Sequence, residues 1–470
     1  VLIMLLYIHG EVQTLTIDEI MKCIKDESIS QVDLKTTDIW GRWRHVTLAS
    51  SYFSERTFSE GVGFDASNLG YGNVVQSDLL MIPDPSTAFI EEREGQKLLS
   101  MICDVYSVDN GKYSPLDPRA ILRNAISSVS DVAEKIFLAP EYEFHVFNSV
   151  AFHVGSNEVF YTVDCDEGFW NEGISGEYIV GKKSGYHQIP PFDTLAAVRG
   201  AIVERLMSLG VPVKYHHHEV GTCQVEIELD FCDALEAADY TMLIKYVARN
   251  VARKMGYVVS FMPKPLHDEA GNGMHVHQYL LKNSVNIFSG QELFGLSSVA
   301  LSYIAGILTH GKSLMAFTNP TTNSYRRLTP GFEAPTTAVF GLGNRTAAVR
   351  IPAYVKDPSK IRIEFRTIDA TTNPYLGFAA MILAGVDGIR RGLDPVSLGY
   401  GPVEDSAEGK GELLASSLRE ACESLLTDNA YLSAAFPEAL IKLWTDKKLE
   451  EEREVNRIPS PQEFKLYFDI

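Results

Sequence analysis

Cysteine is scarce in this chain: six residues in 470, at positions 23, 103, 165, 223, 232 and 422, with no CxxC pair among them. That spacing indicates neither a zinc module nor a disulfide scaffold, and it suits a reducing cytoplasm. Basic charge is also short. The 42 Lys and Arg face 61 Asp and Glu, a net charge of -19, which argues against a nucleic-acid partner and against an anionic membrane surface. No apolar run approaches the roughly 20 residues of a membrane-spanning helix. The opening VLIMLLYI stops after eight residues with no basic stretch before it, and predicts a buried N-terminal segment at a subunit contact, neither a span nor a signal peptide. There is no internal repeat, and the only polar loop of any length covers 404–412. A P-loop is missing too: GLGNR (341–345) lacks the lysine and serine that cradle phosphates, so any nucleotide is held in another way.

What is present is ordinary globular material, 45% apolar and 22% charged, enough for a large core and two domains. Residues 30–115 read as a small, mostly β domain. SQVDLKTTDIWGRWRHVTLAS has two apolar-patterned runs around a turn near Trp40 and Gly41, the signature of a hairpin. A glycine-bearing loop follows and carries Asp65, a residue type equally at home forming a turn. Asp117 and Pro118 mark a helix start. The domain boundary is placed just before it, giving 1–113 as N-terminal segment and first domain and 114–470 as second. In the second, strands alternate with amphipathic helices predicted over 193–208, 233–255, 296–315 and 373–389, and helical sequence from Leu413 onward closes an α+β chain.

Four strands of the second domain carry ionic or imidazole side chains on alternate positions, where a core-lining face should be apolar. They bear Glu141, Glu143 and His145; Gln224, Glu226 and Glu228; His275, His277 and Tyr279; and Arg362, Glu364 and Arg366. Shared on one sheet, that face collects Glu141, Glu143, Glu226, Glu364 and His275, with Glu219 on the preceding HHHEV segment. Two carboxylates about 4 Å apart repel by roughly 4 kcal/mol at an effective dielectric of about 20. The face therefore predicts cations, and its oxygen-dominated donors suit Mg²⁺ or Mn²⁺ better than zinc. Arg326, Arg327, Arg345 and Arg350 precede the last strand on a proline-bounded loop that also holds Glu333. Guanidiniums suit carboxylates and phosphoryl oxygens, and hard divalent ions beside them describe phosphoryl transfer.

These residues resemble a known family. APEYEF, HHHEV with QVEI, KP followed by GNGMHVH, NPTTNSYRRLTPGFEAP, NRTAAVRIP and RIEFRTIDATTNPYLGFAAMILAGVDGI, spread over 32–467, are similar to type I glutamine synthetases. The resemblance implies an N-terminal β-grasp domain and a larger catalytic domain whose curved, barrel-like antiparallel sheet is flanked by helices. It implies ATP as co-substrate, two or three Mg²⁺ or Mn²⁺ per site, glutamate and ammonium as substrates, and a dodecamer of two hexameric rings with active sites between subunits. By motif, Glu143, Glu219 and Glu226 would hold one ion, and Glu141, His275 and Glu364 the ion at the ATP phosphates. Arg345 would meet the γ-phosphoryl group, with Arg350 and Arg362 on the nucleotide phosphates and Tyr186, beside Gly185, and His277 as nucleotide contacts. Arg327, Arg366, Gly271 and His275 would line the glutamate site. Glu333 would shield the acyl phosphate and help bind ammonium, and Asp65 would take ammonium's proton.

The chain departs from the pattern at several places. Ala270 replaces the asparagine that usually helps hold glutamate's amino group, Asn68 stands for the second serine of FDGSS, Tyr279 for a serine near the nucleotide, and Cys223 for a glycine beside a metal-binding strand. Ala270 and Asn68 leave open an organic amine, of polyamine or aniline type, as acceptor. The family also holds non-catalytic structural relatives, against which the intact carboxylates count. Residues 399–405 lack the NLY segment whose tyrosine is adenylylated in many bacterial members, so that regulation is not expected.

Overall fold

The computed structural model describes the backbone of residues 7–8 and 11–12 and residues 15–71, 77–173, 178–331 and 334–470 in full. The apolar opening lies outside the described residues, apart from the backbone of Tyr7–Ile8, which pairs antiparallel with Glu11–Val12. Glu333 also lies outside them.

The first domain begins with α1 (Ile17–Asp26), closed at its start by a capping box between Thr16 and Glu19. The expected hairpin follows as β1 (Gln31–Thr37) and β2 (Trp43–Ala49), joined by β3 (Val62–Asp65), β4 (Asp78–Pro83), β5 (Phe89–Arg93) and β6 (Gln96–Ser107) in the order β2-β1-β6-β4-β3, with β5 paired to β6. Ile20, Ile24, Val32, Leu34, Leu99 and Met101 form its core. Two contacts fix this domain on the second. Gly41 at the hairpin turn has φ +82°, and a β-carbon there would sit 3.0 Å from the Cα of Asn373, while Asn373 donates to the carbonyls of Asp38 and Ile39. Arg119, buried, bridges Asp84 (2.8 Å), Asp104 (2.7 Å) and Asp239 (2.8 Å) across the two domains. Removing one partner of such a buried network costs about 3–5 kcal/mol.

The second domain starts with α2 (Pro118–Ser128), N-capped by Asp117 as expected. Its main strands are β7 (Lys135–Phe147), the hairpin β8 (Ser149–Val154) and β9 (Val159–Asp164), β10 (Val213–His218), β11 (Gln224–Leu229), β12 (Val276–Lys282), β13 (Phe340–Leu342), β14 (Val349–Ile351) and β15 (Ile363–Phe365). The main sheet runs β10-β11-β7-β12-β15-β14-β13 and curls into a half barrel, antiparallel except where β13 pairs parallel with β14. Its apolar face, with Tyr142, Phe144, Val225, Ile227, Val276, Ile363 and Phe365, is buried in the helical core.

The helices are α3 (Ala196–Ser208), α4 (Ala234–Lys254), α5 (Ser298–Thr309), α6 (Gly311–Thr318), α7 (Pro374–Arg391), α8 (Leu418–Thr427), α9 (Glu438–Asn456) and α10 (Pro461–Tyr467). Three expectations need correction. The helix predicted from 193 starts at Ala196, because the Asp193 carboxylate binds Arg199 at 2.7 Å and does not cap. The single helix predicted over 296–315 is two helices broken at His310, whose ring is clamped between Asp387 and Asp428, both at 2.9 Å. One disulfide exists, Cys165–Cys223, and the spacing gave no sign of it because the sheet unites cysteines 58 residues apart. Cys23, Cys103, Cys232 and Cys422 are free and buried. Among the described residues no helix is long and apolar enough to cross a membrane.

Candidate active site

Strand register assembles the charged face. β11 lies antiparallel to β7 with Glu226 opposite Glu143 and Glu228 opposite Glu141, while β10 sets His217 opposite Glu226. Directly opposed residues project from the same face, and like charges so placed destabilise a sheet. The loop ahead of β12 brings His275 into the middle. Its Nδ1 lies 3.2 Å from Glu141, 3.8 Å from Glu143 and 3.7 Å from Glu364. Glycine makes this approach possible: a β-carbon on Gly273 would fall 2.6 Å from the Arg327 guanidinium and 2.7 Å from the His275 ring, and the Gly273 amide donates to Glu143 at 2.7 Å. Gly271 is equally confined, with the Pro263 carbonyl 2.5 Å from where its β-carbon would be.

Two sets that include an imidazole gather their donor atoms within 4.8 Å of one another, Glu141, His277 and Glu364, and His217, Glu219 and Glu226, and a third, all carboxylate, joins Glu141, Glu226 and Glu228. Their electrostatics differ. Burial would raise the Glu141 and Glu364 carboxyls, but His277 and His275 hold Glu141 well below the usual range, and Arg366 and His277 bring Glu364 down to about 2. Glu364 is fully buried between Arg366, at 2.5 Å, and Arg350. At the other set repulsion prevails. Burial, then repulsion from Glu141, Glu143 and Glu219, pushes the Glu226 carboxyl well up, and burial with Glu219 raises Glu143 against the pull of His275.

An open cleft of about 600 Å³ exposes this surface to an arginine wall. Glu141, Glu143, Glu219, Glu226, His275, Gly271 and Tyr186 line it, with Arg327, Arg345, Arg350 and Arg366. Arg366 is aimed by its Nε donating to the Arg345 carbonyl at 3.0 Å, and Arg327 by donation to the Thr367 carbonyl at 2.8 Å. Three predicted residues lie behind the wall: Glu364, His277, bonded to Glu141 at 2.8 Å, and Arg362, held between the rings of Phe231 and Tyr354, each 5.6 Å away. Asp65 is exposed at the end of β3 on the first domain, accepts from the Ser67 amide at 2.9 Å, and does not line this cleft.

Sequence reasoning missed four participants. His217, Tyr215 and Lys183 line the cleft; period-two parity with Glu219 would have singled out His217. Glu167 is fully buried and accepts from the Cys223 amide (2.8 Å), bonds the His218 ring (2.7 Å) and accepts from Thr194 (2.7 Å). It fixes the turn between Glu219 and Glu226, and only the tertiary fold reveals it.

The family model for the glutamine synthetase catalytic domain matches residues 115–467, and that for the glutamine synthetase β-grasp domain matches 28–108. The chain belongs to the glutamine synthetase family. It is 41% identical over 466 residues to a glutamine synthetase of Aquifex aeolicus, covering 97% of this chain and 99% of the relative. A 3-hydroxylaminophenol mutase of Cupriavidus pinatubonensis is 37% identical, with 97% and 99% covered. Among solved structures, a cryo-EM structure of Plasmodium falciparum glutamine synthetase superposes with a TM-score of 0.88 at 28% identity, covering 97% of this chain and 99% of that one. Glutamine synthetases use ATP and divalent metal, and the donors here fit such an ion. Carboxylate oxygens dominate, one or two imidazoles join them, and no thiol reaches either set.

Proposed function

We propose that this chain ligates ammonia to the γ-carboxyl of L-glutamate at the expense of ATP, through γ-glutamyl phosphate. The observation that carries this reading is the facing of a buried, mutually repelling carboxylate set, Glu143, Glu219 and Glu226, by four arginines across one cleft. Glu143, Glu219 and Glu226, with His217 beside them, would hold one divalent ion, and Glu141, His275 and Glu364 a second. Mg²⁺ or Mn²⁺ held by these residues would supply the positive charge that offsets the phosphates during transfer.

The chain's own groups then orient and move the rest. Arg327 and Arg366 bind the carboxylates of glutamate, Gly271 leaves room for its backbone, and Tyr186, Arg350 and Arg362 hold the nucleotide. The γ-carboxylate oxygen attacks the γ-phosphorus, ADP leaves, and Arg345 steadies the phosphoryl group in flight. Asp65 takes a proton from ammonium; the Ser67 amide holds its carboxyl below the ordinary range, so it is ionised and ready to accept. The free amine attacks the acyl carbon and phosphate departs, with Glu333 shielding the acyl phosphate from water. Because Asp65 sits on the first domain away from this cleft, it serves a neighbouring subunit's cleft, in a ring of head-to-tail contacts stacked in pairs as a dodecamer, acting in the cytoplasm.

One observation favours a second reading, γ-glutamyl ligation of an organic amine. Ala270 lines the cleft where a polar amide is usual, which removes a hydrogen-bonding group from the substrate wall. Glutamate-dependent phosphate release with Mg²⁺ and ATP, measured with ammonium and with a panel of polyamines and anilines, separates the two. Mass spectrometry of the product then names the amine. No phosphate release with any amine tried would sink both readings.

A further inference from the structure

The disulfide Cys165–Cys223 occupies a telling place. Cys165 follows β9, two residues before Glu167; Cys223 sits in the Gly221–Gln224 turn that separates Glu219 from Glu226. Both are buried, packed with Phe147 and Leu266 against Val163 and Trp170. Cys223 has φ +63°, a left-handed conformation unfavourable for a residue with a β-carbon. Its backbone therefore has to be held from outside. The Cys223 amide donates to Glu167 and its carbonyl accepts from the Val146 amide at 2.8 Å. Gln224, next in the chain, accepts from the Gly221 amide at 2.8 Å and donates to the Gly271 carbonyl at 2.9 Å and to Asn272 at 3.0 Å, tying the turn to the loop that delivers His275. The Glu219 amide is in turn anchored on the Gln224 carbonyl at 2.9 Å. Each clamp on the turn thus positions a carboxylate or imidazole of the charged face, and the disulfide binds the Glu167-bearing turn to it covalently.

We propose that Cys165 and Cys223 form a redox-responsive positioning pair for the cation cage. Closed, the disulfide fixes the Gly221–Gln224 turn and sets Glu219 and Glu226 at binding distance; open, it lets the turn relax and weakens divalent cation binding. The opening step is thiol–disulfide exchange with an external dithiol reductant. Its thiolate attacks one sulfur, forming a mixed disulfide and releasing the other cysteine as a thiolate. Its second thiol then displaces the first cysteine. Two electrons and two protons pass to Cys165 and Cys223, and the reductant leaves as its own disulfide. Burial of both sulfurs makes exchange depend on transient opening of the Cys165–Trp170 turn. Two thiols here would suit a soft metal, but Glu167 is already engaged by three donors, which favours the redox role.

The proposal rests on the reading of Glu143, Glu219 and Glu226 as a cation cage, and the test separates the two. The full chain is prepared oxidised and after treatment with dithiothreitol, its Cys165 and Cys223 peptides are identified by mass spectrometry without reduction, and Mn²⁺ is titrated into each state by calorimetry. The Kd is expected to rise about tenfold on reduction, as when a supporting partner of a metal ligand is lost, and to fall back on reoxidation. The double variant Cys165→Ser with Cys223→Gly, in which glycine accepts the left-handed backbone, should match the reduced state and ignore oxidant. If that variant does not fold, the two states of the unaltered chain decide alone. Equal Kd values in both states, no disulfide in the non-reduced map, or zinc retained by the reduced pair would each overturn the proposal. Mn²⁺ binding to neither state, or binding untouched by Glu226→Gln, would instead reject the cage reading.

Discussion

Removing the charge of Glu226 should stabilise the metal-free protein and abolish most of the stabilisation by metal, two effects of opposite sign from one substitution. Glu226 has donor atoms within 4.8 Å of Glu219 on one side and of Glu141 and Glu228 on the other. At that separation and an effective dielectric of about 20, each like-charged pair costs roughly 3.5 kcal/mol. Glu228 is partly offset by its ion pair with Lys214 and Glu141 by His275 and His277, so the two remaining repulsions, with Glu219 and Glu141, sum to at most roughly 7 kcal/mol. The folded chain need not bear all of it, because a proton can be taken up instead. Protonating one carboxyl of ordinary pKa about 4.3 at pH 7.5 costs about 4 kcal/mol, and this caps the penalty. Glu226→Gln removes the charge at constant shape, so the metal-free variant should gain about 2–4 kcal/mol, less what is lost where Gln cannot accept as two oxygens did. With Mn²⁺ present the balance reverses. Losing an anionic ligand should cost at least a hundredfold in affinity, about 2.7 kcal/mol of linked stabilisation at saturating metal. Urea denaturation at pH 7.5 with chelator and with Mn²⁺ reads both. A metal-free variant less stable than the parent would refute the repulsion argument, and an undiminished response to Mn²⁺ would remove Glu226 from the cage.

Arg345→Ala should lower kcat by a factor of about 10³ or more while leaving Mn²⁺ affinity unchanged, since an arginine on a transferring phosphoryl group acts in the transition state; steady-state kinetics beside calorimetry checks this. Asp65→Ala should be nearly inactive alone, yet co-assembled with Arg345→Ala it should recover up to about a quarter of parental activity through mixed interfaces; verified mixed rings that stay inactive would place both residues in one subunit's site. Ala270→Asn should lower the KM for glutamate by about tenfold if the added amide reaches the amino group, and an unchanged KM would point to a different acceptor geometry. Burial works against protonation of His310, but its bonds to Asp428 and Asp387 outweigh it and raise its pKa. Its contribution to stability is therefore complete below about pH 6.5 and lost as pH rises through the folded value; His310→Asn should flatten that part of a stability–pH profile, and an unaltered slope would show the clamp to be inert.

How much of this could be read from the sequence depended on the range of the interaction. Helix starts at Asp117 and Asn373 are local chemistry, a side chain accepting from an amide two residues on, and they were legible. So was the charged face, because strand alternation is set by backbone geometry alone. The break at His310 was not, since apolar periodicity runs through it and the cause lies in carboxylates on other elements. The disulfide and Glu167 were hidden for the same reason: their partners meet only when β9 and the β10–β11 turn are brought together.

So many carboxylates on one face imply external cations, yet in the folded chain they fall into two groups. Glu364 already has its cations, Arg350 and Arg366, and Glu141 has the imidazoles of His275 and His277. These arginines therefore have two competing anions available, the carboxylate beneath them and any phosphoryl group entering the cleft that Arg350 and Arg366 line. Exchanging one for the other leaves Glu364 in need of a new counter-charge. On the proposed reading, an ion at that set would thereby be coupled to arrival of the phosphates, since guanidiniums turned toward them would leave the carboxylate short of counter-charge. At Glu226, by contrast, burial and repulsion from Glu141, Glu143 and Glu219 push the carboxyl up, so on the proposed reading a cation there would not wait for the nucleotide. Alternation of charge along four strands could not distinguish these cases. The distinction lies in which arginine each glutamate can reach, and that is set by β14 pairing with β15, which places Arg350 opposite Glu364.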